Sequence, residues 1–292
     1  MNKLTSLFPF VCVGAALFLN ACGREQHSIY SEHADWIKEC PFPYSCQLAE
    51  APDGSTAIRF EWRAKDYDGS RKTTGAEYRT KYYTASDRFN KNREAWIGFS
   101  VYFPADSMSA DQHPAIITQT HGVPDFDLGE GWLIWTAGLS CVNGALIYSY
   151  SGDTRQVTPS TPNVEEFTHP GGKIPLGPIE FDRWHRFVYH HKFDLTGKGL
   201  IEIWHNGKQY SRNNIVLGYN DERGPFWKFG FYPYEGKSDH DSRVIFFDDV
   251  KVMLGEGSFA QVAPPGAVAA NPGASGYDGS NAQTGVSARN GS

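Results

Sequence analysis

The sequence predicts an all-β fold, a concanavalin-like β-sandwich of jelly-roll type with a concave groove in one sheet. The 292 residues include 30 Gly and 17 Pro, and 14% of them are aromatic, a composition that favours strands and turns over helices. Segments of similar length alternate between apolar and polar residues, with hairpin turns between them. Because no stretch has the period of a long amphipathic helix, two packed antiparallel sheets are expected.

The predicted strands follow one another along most of the chain. Residues 96–103 alternate most strongly, and Pro104 ends that strand because proline has no N–H to donate to a sheet. Asn206-Gly207 predicts a tight hairpin, and residues 194–199 predict another turn. Residues 151–180 are rich in Pro, Thr and Gly and are expected to form loops. The predicted strands cover residues 56–63, 75–83, 96–103, 115–121, 131–135, 145–150, 183–193, 200–205, 228–232 and 244–253.

The first residues have the pattern of an export signal. Lys3 supplies a positive charge, residues 7–19 form a short apolar run, and Asn20-Ala21-Cys22 follows it. This pattern is typical of bacterial lipoprotein signals, whose cleavage leaves the cysteine as the lipidated first residue; a plain secretory signal is the alternative. The apolar run is too short for a transmembrane anchor. We expect a lipidated Cys22 to hold an exported protein on a bacterial membrane, the outer one, facing the periplasm or the cell surface.

Four segments make up the predicted domain organisation. Residues 1–21 form the signal peptide, and residues 22–34 form a polar, lipidated tether. Residues 35–254 form the folded domain, which is long enough to bury a sizeable core. Residues 255–292 are rich in Gly, Ala, Ser, Asn and Pro and have almost no large apolar side chains, so a disordered tail is expected.

The overall charge bears on the partners. The net charge of −6 makes nucleic acid an unexpected partner. Local cations still decide whether an anionic ligand binds, since surface charges are screened beyond about 8–10 Å in physiological salt. A monomer is expected.

The cysteines predict one disulfide. Export favours disulfide formation, and Cys40 and Cys46, which flank Pro-Phe-Pro-Tyr-Ser, are predicted to close a small loop. Cys141 is then expected to be free and buried. No Cys/His spacing in the sequence resembles a zinc site.

Residues 227–232 form the strand around which a binding groove is expected. Three alternating aromatic residues point to one face and suit the core, namely Trp227, Phe229 and Phe231. Lys228 and Tyr232 point to the other face, with only Gly230 between them. A bulky side chain at the middle position would block a ligand above the strand, so this face is predicted to be the floor of a groove for a long ligand. An ordinary edge strand with a solvated polar face is the alternative.

Three predicted strands carry pairs of polar residues, and each pair lies on one face of its strand. If the three strands are neighbours, a single face carries all six side chains. The pairs are Glu77 and Arg79, Gln119 and His121, and Lys228 and Tyr232. Glu77 is interpreted as an orienting partner of Arg79.

These side chains suit the cleavage of a uronate-containing polysaccharide by β-elimination. The weakly acidic C5 proton must leave while charge develops on the neighbouring carboxylate, which Gln119 and Arg79 would stabilise. His121 is the candidate base because its usual pKa lies nearest neutrality. Tyr232 is the candidate acid for the leaving O4, and Lys228 is expected to lower its pKa. Bond cleavage of this kind requires no metal and no water molecule, so no cofactor is predicted for the chemistry.

The motifs on these strands resemble those of a known enzyme family. Gln119-Thr120-His121 and Lys228-Phe-Gly-Phe-Tyr232 resemble the Gln-x-His and Lys-x-Gly-x-Tyr motifs of jelly-roll polysaccharide lyases. The segments that are similar to the heparin lyase I family are 96–104, 184–207 and 246–250, and the resemblance covers residues 55–253. Alginate and glucuronan lyases of similar fold share the short motifs.

The resemblance implies a role for each matching residue. It implies His121 as base and Tyr232 as acid, or Tyr232 in both roles, with Gln119 neutralising the substrate carboxylate. Related alginate lyases have Arg-Ser-Glu-Leu-Arg where this chain has Gly75-Ala-Glu-Tyr-Arg79, so the leading arginine is missing and Arg79 matches the last position. The side chains expected to contact the sugar chain are Lys228, Glu77, Lys81, Tyr83 and Trp132.

Two other functions remain open on the sequence. Asp125-Phe-Asp127-Leu-Gly-Glu130 is similar to the Glu-x-Asp-x-x-Glu signature of a family of retaining glycoside hydrolases, which need two carboxyl groups about 5–5.5 Å apart. A non-catalytic carbohydrate-binding module would use the same fold and the same exposed aromatic side chains.

Two further pairs of polar residues are adjacent in the sequence. Asp248 and Asp249 are a candidate structural Ca²⁺ site, with a polar pair at a strand end as the alternative. His190 and His191 lie on opposite faces of one strand, so they are not expected to form one site.

Overall fold

The computed structural model describes residues 36–80, 94–131, 135–161 and 163–269. Within them, fourteen strands form two antiparallel sheets, and the predicted all-β sandwich is confirmed. The strands are β1 (Trp36–Glu39), β2 (Cys46–Glu50), β3 (Thr56–Arg63), β4 (Ala76–Thr80), β5 (Glu94–Tyr102), β6 (Ala115–His121), β7 (Trp135–Val142), β8 (Ala145–Gly152), β9 (His169–Pro178), β10 (Trp184–Lys192), β11 (Asp194–His205), β12 (Lys208–Leu217), β13 (Phe226–Tyr232) and β14 (Ser242–Leu254). The helical segments are α1 (Ala105–Met108), α2 (Phe259–Val262) and 3₁₀ turns at Ala64–Asp66, Phe126–Leu128 and Val164–Glu166. None of the helices in these ranges is long and apolar enough to cross a membrane.

Each sheet has seven strands. The front sheet has the order β1-β4-β13-β6-β7-β8-β9, and the back sheet has the order β12-β11-β10-β5-β14-β3-β2. The two sheets bury one face each against the other, and the face of the front sheet that points away from the back sheet is called its outer face below. The strands that carry the candidate site therefore lie side by side in the front sheet.

The structure corrects several predicted loops. β9 lies inside residues 151–180, which were predicted to be loops, and β11 continues through the predicted turn at residues 194–199. The irregular register between Asp194 and Gly199 lets β11 absorb the extra residues as a bulge. The sequence pattern also missed β1, β2 and β12.

Aromatic side chains from both sheets form the middle of the core. Trp227, Phe229 and Phe231 of β13 are at most 1% exposed, so the predicted core face of this strand is confirmed. The ring of Phe229 lies 5.0 Å from that of Phe247 in β14 and 5.7 Å from that of Phe60 in β3. Such ring pairs contribute about 0.5–1.5 kcal/mol beyond the area they bury. The core face of β13 thereby determines that its other face points outward.

A disulfide joins the two sheets beside the candidate site. Cys40 follows β1 of the front sheet, Cys46 begins β2 of the back sheet, and the two cysteines are bonded as the sequence predicts. Cys141 is free and buried, also as expected. The bond holds the end of the four-residue edge strand β1 in place.

The C-terminal segment packs on the back sheet further than expected. The disordered tail was predicted to begin at residue 255, but α2 follows, and Val262 is fully buried. A Cβ atom on Gly98 would lie 1.8 Å from the carbonyl oxygen of Val262, so the glycine allows this close approach. Arg186 Nε donates to the carbonyl of Pro265 at 2.6 Å. Residues 1–35, with the signal peptide, the tether and Cys22, and residues 270–292 lie outside the described residues.

Buried histidines lie in and beside the core. His185 Nε2 donates to the carbonyl of Glu180 at 2.9 Å, so its Nδ1 is an acceptor and receives the N–H of His205 Nε2 at 2.9 Å. His191 contacts the hydroxyl of Tyr148 at 2.7 Å. Burial lowers the pKa of His185, and it lowers those of His205 and His191 to about 3. These rings are therefore neutral in the folded protein.

We predict that the protein loses stability as the pH falls below about 6.5. An unfolded histidine has a pKa of about 6.5, so between pH 6.5 and 3 the unfolded chain binds more protons than the folded one and gains from them. Each of His205 and His191 should cost about 2 kcal/mol of unfolding free energy at pH 5. Urea unfolding at pH 7 and pH 5 measures this loss.

The matched variants are His205→Gln and His169→Gln, the latter at an exposed position. The difference in unfolding free energy between pH 7 and pH 5 should shrink by about 2 kcal/mol in His205→Gln only. An unchanged difference in His205→Gln would show that this ring does not set the acid sensitivity.

Candidate active site

Four neighbouring strands place polar side chains on the outer face of the front sheet. Lys228 of β13 lies opposite Arg79 of β4 on one side and opposite Gln119 of β6 on the other. Glu39 of β1 lies opposite Glu77 of β4. The prediction that β4, β6 and β13 are neighbours is therefore confirmed. The structure adds β1, which the sequence analysis did not identify.

Glu77 is the buried centre of this group. Its Oε1 accepts a hydrogen bond from Gln119 Nε2 at 2.5 Å, and its Oε2 lies 3.1 Å from Lys228 Nζ. The Glu77 side chain is only 4% exposed. Glu77 was interpreted as the partner of Arg79, but the side chains it binds here are Gln119 and Lys228, which come from the neighbouring strands β6 and β13.

Glu39 is the partner of Arg79. Arg79 Nε donates to Glu39 Oε1, and Lys228 Nζ lies 2.7 Å from Glu39 Oε2. Burial raises the pKa of the Glu39 carboxyl, but Lys228 and then Arg79 outweigh burial and hold it below its usual value. The one sequence signal that could have identified Glu39 is its place directly before a cysteine of the predicted disulfide.

Lys228 is held in its charged form. Burial lowers the pKa of its ammonium group, but Glu77 and Glu39 outweigh burial and raise the pKa above its usual value. The side chain is 14% exposed. Its charge is thus already shared by two carboxylates before any ligand arrives.

His121 has the form of a neutral base. Its Nδ1 donates to the carbonyl of Gly122 at 2.9 Å, which leaves the lone pair on Nε2. The ring stacks on Phe226, with 5.3 Å between ring centroids. Burial lowers the pKa of His121 to about 4; the hydrogen bond to Gly122 raises this pKa and the charge of Lys228 lowers it, each with a smaller effect than burial.

Tyr232 has the form of a protonated acid. Burial raises the pKa of its hydroxyl, and Glu77 raises it too, while Lys228 opposes them with a smaller effect. Lys228 lowers this pKa as expected, but burial and Glu77 outweigh it, so the expected net lowering is wrong. A Cβ atom on Gly75 would lie 2.4 Å from Tyr232 Cδ2. The tyrosine ring thus fills the space beside the position where related alginate lyases have an arginine.

The two candidate proton-transfer groups lie on opposite sides of the charged group. His121 is opposite Phe226, whereas Tyr232 is opposite Ile116. Six residue steps separate Phe226 from Tyr232, about 20 Å along a fully extended strand, so the imidazole and the phenol must reach toward each other to act on one sugar. Gln119 lies between the two groups. A ligand held there would lie between an imidazole on one side and a phenol on the other.

Gly230 is required by the fold rather than by a ligand. Its φ is +142°, and a Cβ atom would lie 2.3 Å from the carbonyl oxygen of Ala76 in β4. The register between β13 and β6 shifts at this position, which marks a bulge. The reading of Gly230 as clearance above the strand is corrected accordingly.

Two of the three carboxylates of the hydrolase alternative, Asp125 and Glu130, bind backbone groups instead. Asp125 accepts the N–H of Glu222 at 3.1 Å, and Glu130 accepts the N–H groups of Asp125 at 2.9 Å and Thr158 at 2.5 Å. Asp125 and Glu130 are at most 8% exposed. Their hydrogen bonds hold three loops together, so they are not placed for hydrolysis.

The sugar-contact candidates Lys81, Tyr83 and Trp132 lie outside the described residues.

The remaining polar pairs lie elsewhere. Asp249 accepts the hydroxyl of Ser100 at 3.0 Å, and its N–H donates to Asp248 Oδ1 at 2.7 Å. The described part of the chain has no group of three or more His, Cys, Asp or Glu residues placed to hold a metal ion, and the structural Ca²⁺ stays a prediction. His190 binds Glu94 and Glu202, away from His191, as expected for opposite faces.

Comparisons with known proteins agree with this fold. A family model described as "Polysaccharide lyase" matches residues 35–251. The chain is similar to endo-β-1,4-glucuronan lyase from the fungus Trichoderma reesei, with 20% identity, a TM-score of 0.55, and coverage of 82% of this chain and 94% of that chain. It is also similar to a variant of alginate lyase A1-II′, with 12% identity, a TM-score of 0.51, and coverage of 75% and 94%. Among curated proteins there is no match.

We predict that Gly230→Ala destabilises the protein by about 3 kcal/mol, since the new Cβ meets backbone in a conformation that L-residues avoid. The matched control is Gly144→Ala, because Gly144 also has a positive φ (71°) but has nothing within 4 Å of its Cβ position. That variant should lose about 1 kcal/mol. Urea unfolding of both variants measures the difference, and equal losses would contradict the close approach at Gly230.

Proposed function

The chain belongs to the polysaccharide lyase family, and we propose that it cleaves a uronate-containing anionic polysaccharide by β-elimination. The observation that carries this proposal is the arrangement of Gln119 and its charged neighbours between a neutral His121 and a protonated Tyr232. These are the groups that β-elimination beside a carboxylate needs: an amide and cations for the developing charge, a base and an acid.

In the proposed reaction, one proton leaves C5 and another reaches O4. His121 Nε2 takes the C5 proton of the uronate, and the electron pair forms the C4=C5 double bond. The C4–O4 bond breaks, and the Tyr232 hydroxyl gives its proton to the leaving O4. One product carries the 4,5-unsaturated uronate at its new non-reducing end. The other is the leaving fragment, in which O4 becomes the hydroxyl of a new reducing end. Solvent exchange returns both side chains to their starting forms.

Glu77 prepares Gln119 for this role. The Gln119 amide has two N–H groups, and one of them donates to Glu77. This bond determines which way the amide points and leaves the second N–H for the substrate carboxylate. The negative charge that grows on that carboxylate during proton removal then meets a donor that is already in place.

The protonation states favour His121 as base over Tyr232 in both roles. A tyrosine base must be a phenolate, and burial together with Glu77 disfavours the phenolate of Tyr232. His121 is already neutral at pH 7. Each residue is therefore at rest in the form that its own step requires.

Several further properties are proposed from the sequence pattern. The signal-like segment supports export and lipid anchoring through Cys22. Monomeric action on the polysaccharide and a structural Ca²⁺ at Asp248 and Asp249 are also proposed. The resemblance to the heparin lyase I family supports including heparin among candidate substrates, and the glucuronan and alginate lyases among solved structures support including their substrates.

The proposed reaction predicts a rise in ultraviolet absorbance as the unsaturated uronate forms. We expect this rise when the soluble form without residues 1–22 meets one member of a panel of heparin, heparan sulfate, alginate, glucuronan and hyaluronan. His121→Ala and Tyr232→Phe should each reduce kcat about 10²- to 10⁴-fold through loss of the base or the acid. The controls are His113→Ala and Tyr210→Phe, at positions outside the candidate site, which should keep the rate.

Other outcomes of this assay point elsewhere. New reducing ends without ultraviolet absorbance would indicate hydrolysis. Binding without either product would indicate a carbohydrate-binding module. A Tyr232→Phe variant that keeps full turnover would contradict the role of the tyrosine as acid.

The protonation states also predict a broad pH optimum. The rate should rise as His121 loses its proton near pH 4 and fall only as Tyr232 loses its own above its usual pKa of about 10. We therefore expect kcat/KM, which reports the free enzyme, to be flat between about pH 6 and pH 9. A kcat/KM that climbs steadily through this range would contradict the neutral-histidine base and favour a tyrosine phenolate.

A further inference from the structure

Glu39 lies on the solvent side of both cations of the site. Its carboxylate binds Arg79 through Oε1 and Lys228 through Oε2. The Glu39 side chain is 38% exposed, whereas those of Arg79 and Lys228 are 8% and 14% exposed. Glu39 is therefore the most solvent-accessible of these three side chains.

The two carboxylates of the group are not equivalent. Glu77 is 4% exposed and binds Lys228 and the Gln119 amide from below. Removing one partner of such a buried pair leaves a charge without compensation and is costly. Glu39 is partly exposed, and exposed ion pairs contribute little to stability. Glu77 is thus the permanent partner of Lys228, and Glu39 is the replaceable one.

The backbone under Glu39 stays in place when its side chain turns away. β1 pairs with β4 through four residue pairs, and the disulfide at Cys40 follows directly. A glutamate side chain rotates about three bonds and reaches water from an edge strand without moving the strand. The Glu39 carboxylate can therefore leave Arg79 and Lys228 by a change of its own side-chain rotamer, without movement of β1.

We propose that Glu39 occupies the anion position that a uronate carboxylate of the substrate takes, and that substrate binding displaces it. This inference rests on the proposed function, because it assumes a ligand with carboxylates. Glu39 then acts as an internal counter-ion. It keeps Arg79 and Lys228 side by side in the free protein and competes with the substrate for them.

The test compares the affinity of carboxylated and neutral tetrasaccharides for matched variants. All variants carry Tyr232→Phe, so that bound oligomers are not consumed. The probes are a β-1,4-glucuronate tetramer, a mannuronate tetramer, and cellotetraose, which has no carboxylate; calorimetry measures Kd. Glu39→Gln and Glu39→Ala are compared with Glu180→Gln, which removes a 55% exposed carboxylate from an ion pair with Arg183 and changes the net charge equally.

Loss of the competing carboxylate should tighten binding of a uronate tetramer about two- to fivefold in Glu39→Gln and Glu39→Ala. Glu180→Gln should leave Kd unchanged, and no variant should bind cellotetraose more tightly. Equal or weaker uronate binding in both Glu39 variants would overturn the inference, because Glu39 would then be a structural partner of the cations. Equal tightening in Glu180→Gln would overturn it as well, as an effect of net charge.

The two proposals fail separately. If the Glu39 variants bind uronate more tightly but the protein with Tyr232 and Glu39 intact forms no unsaturated product, the proposed anion position is supported and the lyase mechanism is refuted. Unsaturated product without any effect of Glu39 on affinity would do the reverse. If no variant binds either uronate tetramer, the inference about Glu39 is overturned. The ultraviolet assay on the polymer panel then tests the lyase mechanism independently.

Discussion

The buried carboxylate of Glu77 is the constraint on which the site depends. A carboxylate that is 4% exposed is stable only when cations and hydrogen-bond donors surround it, since the cost of an unpaired buried ion is several kcal/mol. Its partners, Lys228 and Gln119, come from β13 and β6. A shift of one residue in either strand would turn that partner toward the core. The site therefore forms only when β4, β6 and β13 pair in the register that the folded front sheet has.

The core face of β13 fixes the register and orientation of this strand. The aromatic residues of β13 pack between the sheets, where Phe229 contacts Phe60 and Phe247 of the back sheet. Their burial keeps Lys228 and Tyr232 on the outer face. The bulge at Gly230 brings β13 close to β4 and shifts its register with β6. Core packing and backbone geometry thus determine where the polar side chains point.

Alternation was enough to predict the faces of β4, β6 and β13, because period-two patterns report which side of a strand is buried. It could not predict β9, whose three prolines are tolerated because β9 is an edge strand. It also missed Glu39, since β1 is only four residues long and its pairing depends on contacts distant in sequence. The net shift of the Tyr232 pKa was predicted in the wrong direction because a sequence does not show that this hydroxyl is buried and lies near Glu77.

The charged group also acts on the protonation of the candidate acid. Burial raises the pKa of Tyr232 most and Glu77 raises it too, while Lys228 lowers it with a smaller effect. Two cations face two carboxylates in the site, and the tyrosine stays protonated because burial and Glu77 outweigh Lys228. A substrate carboxylate that replaces Glu39 brings one negative charge for the one that leaves. The electrostatic balance around His121 and Tyr232 is then the same with substrate as without it, so binding does not disturb the protonation states that the reaction requires.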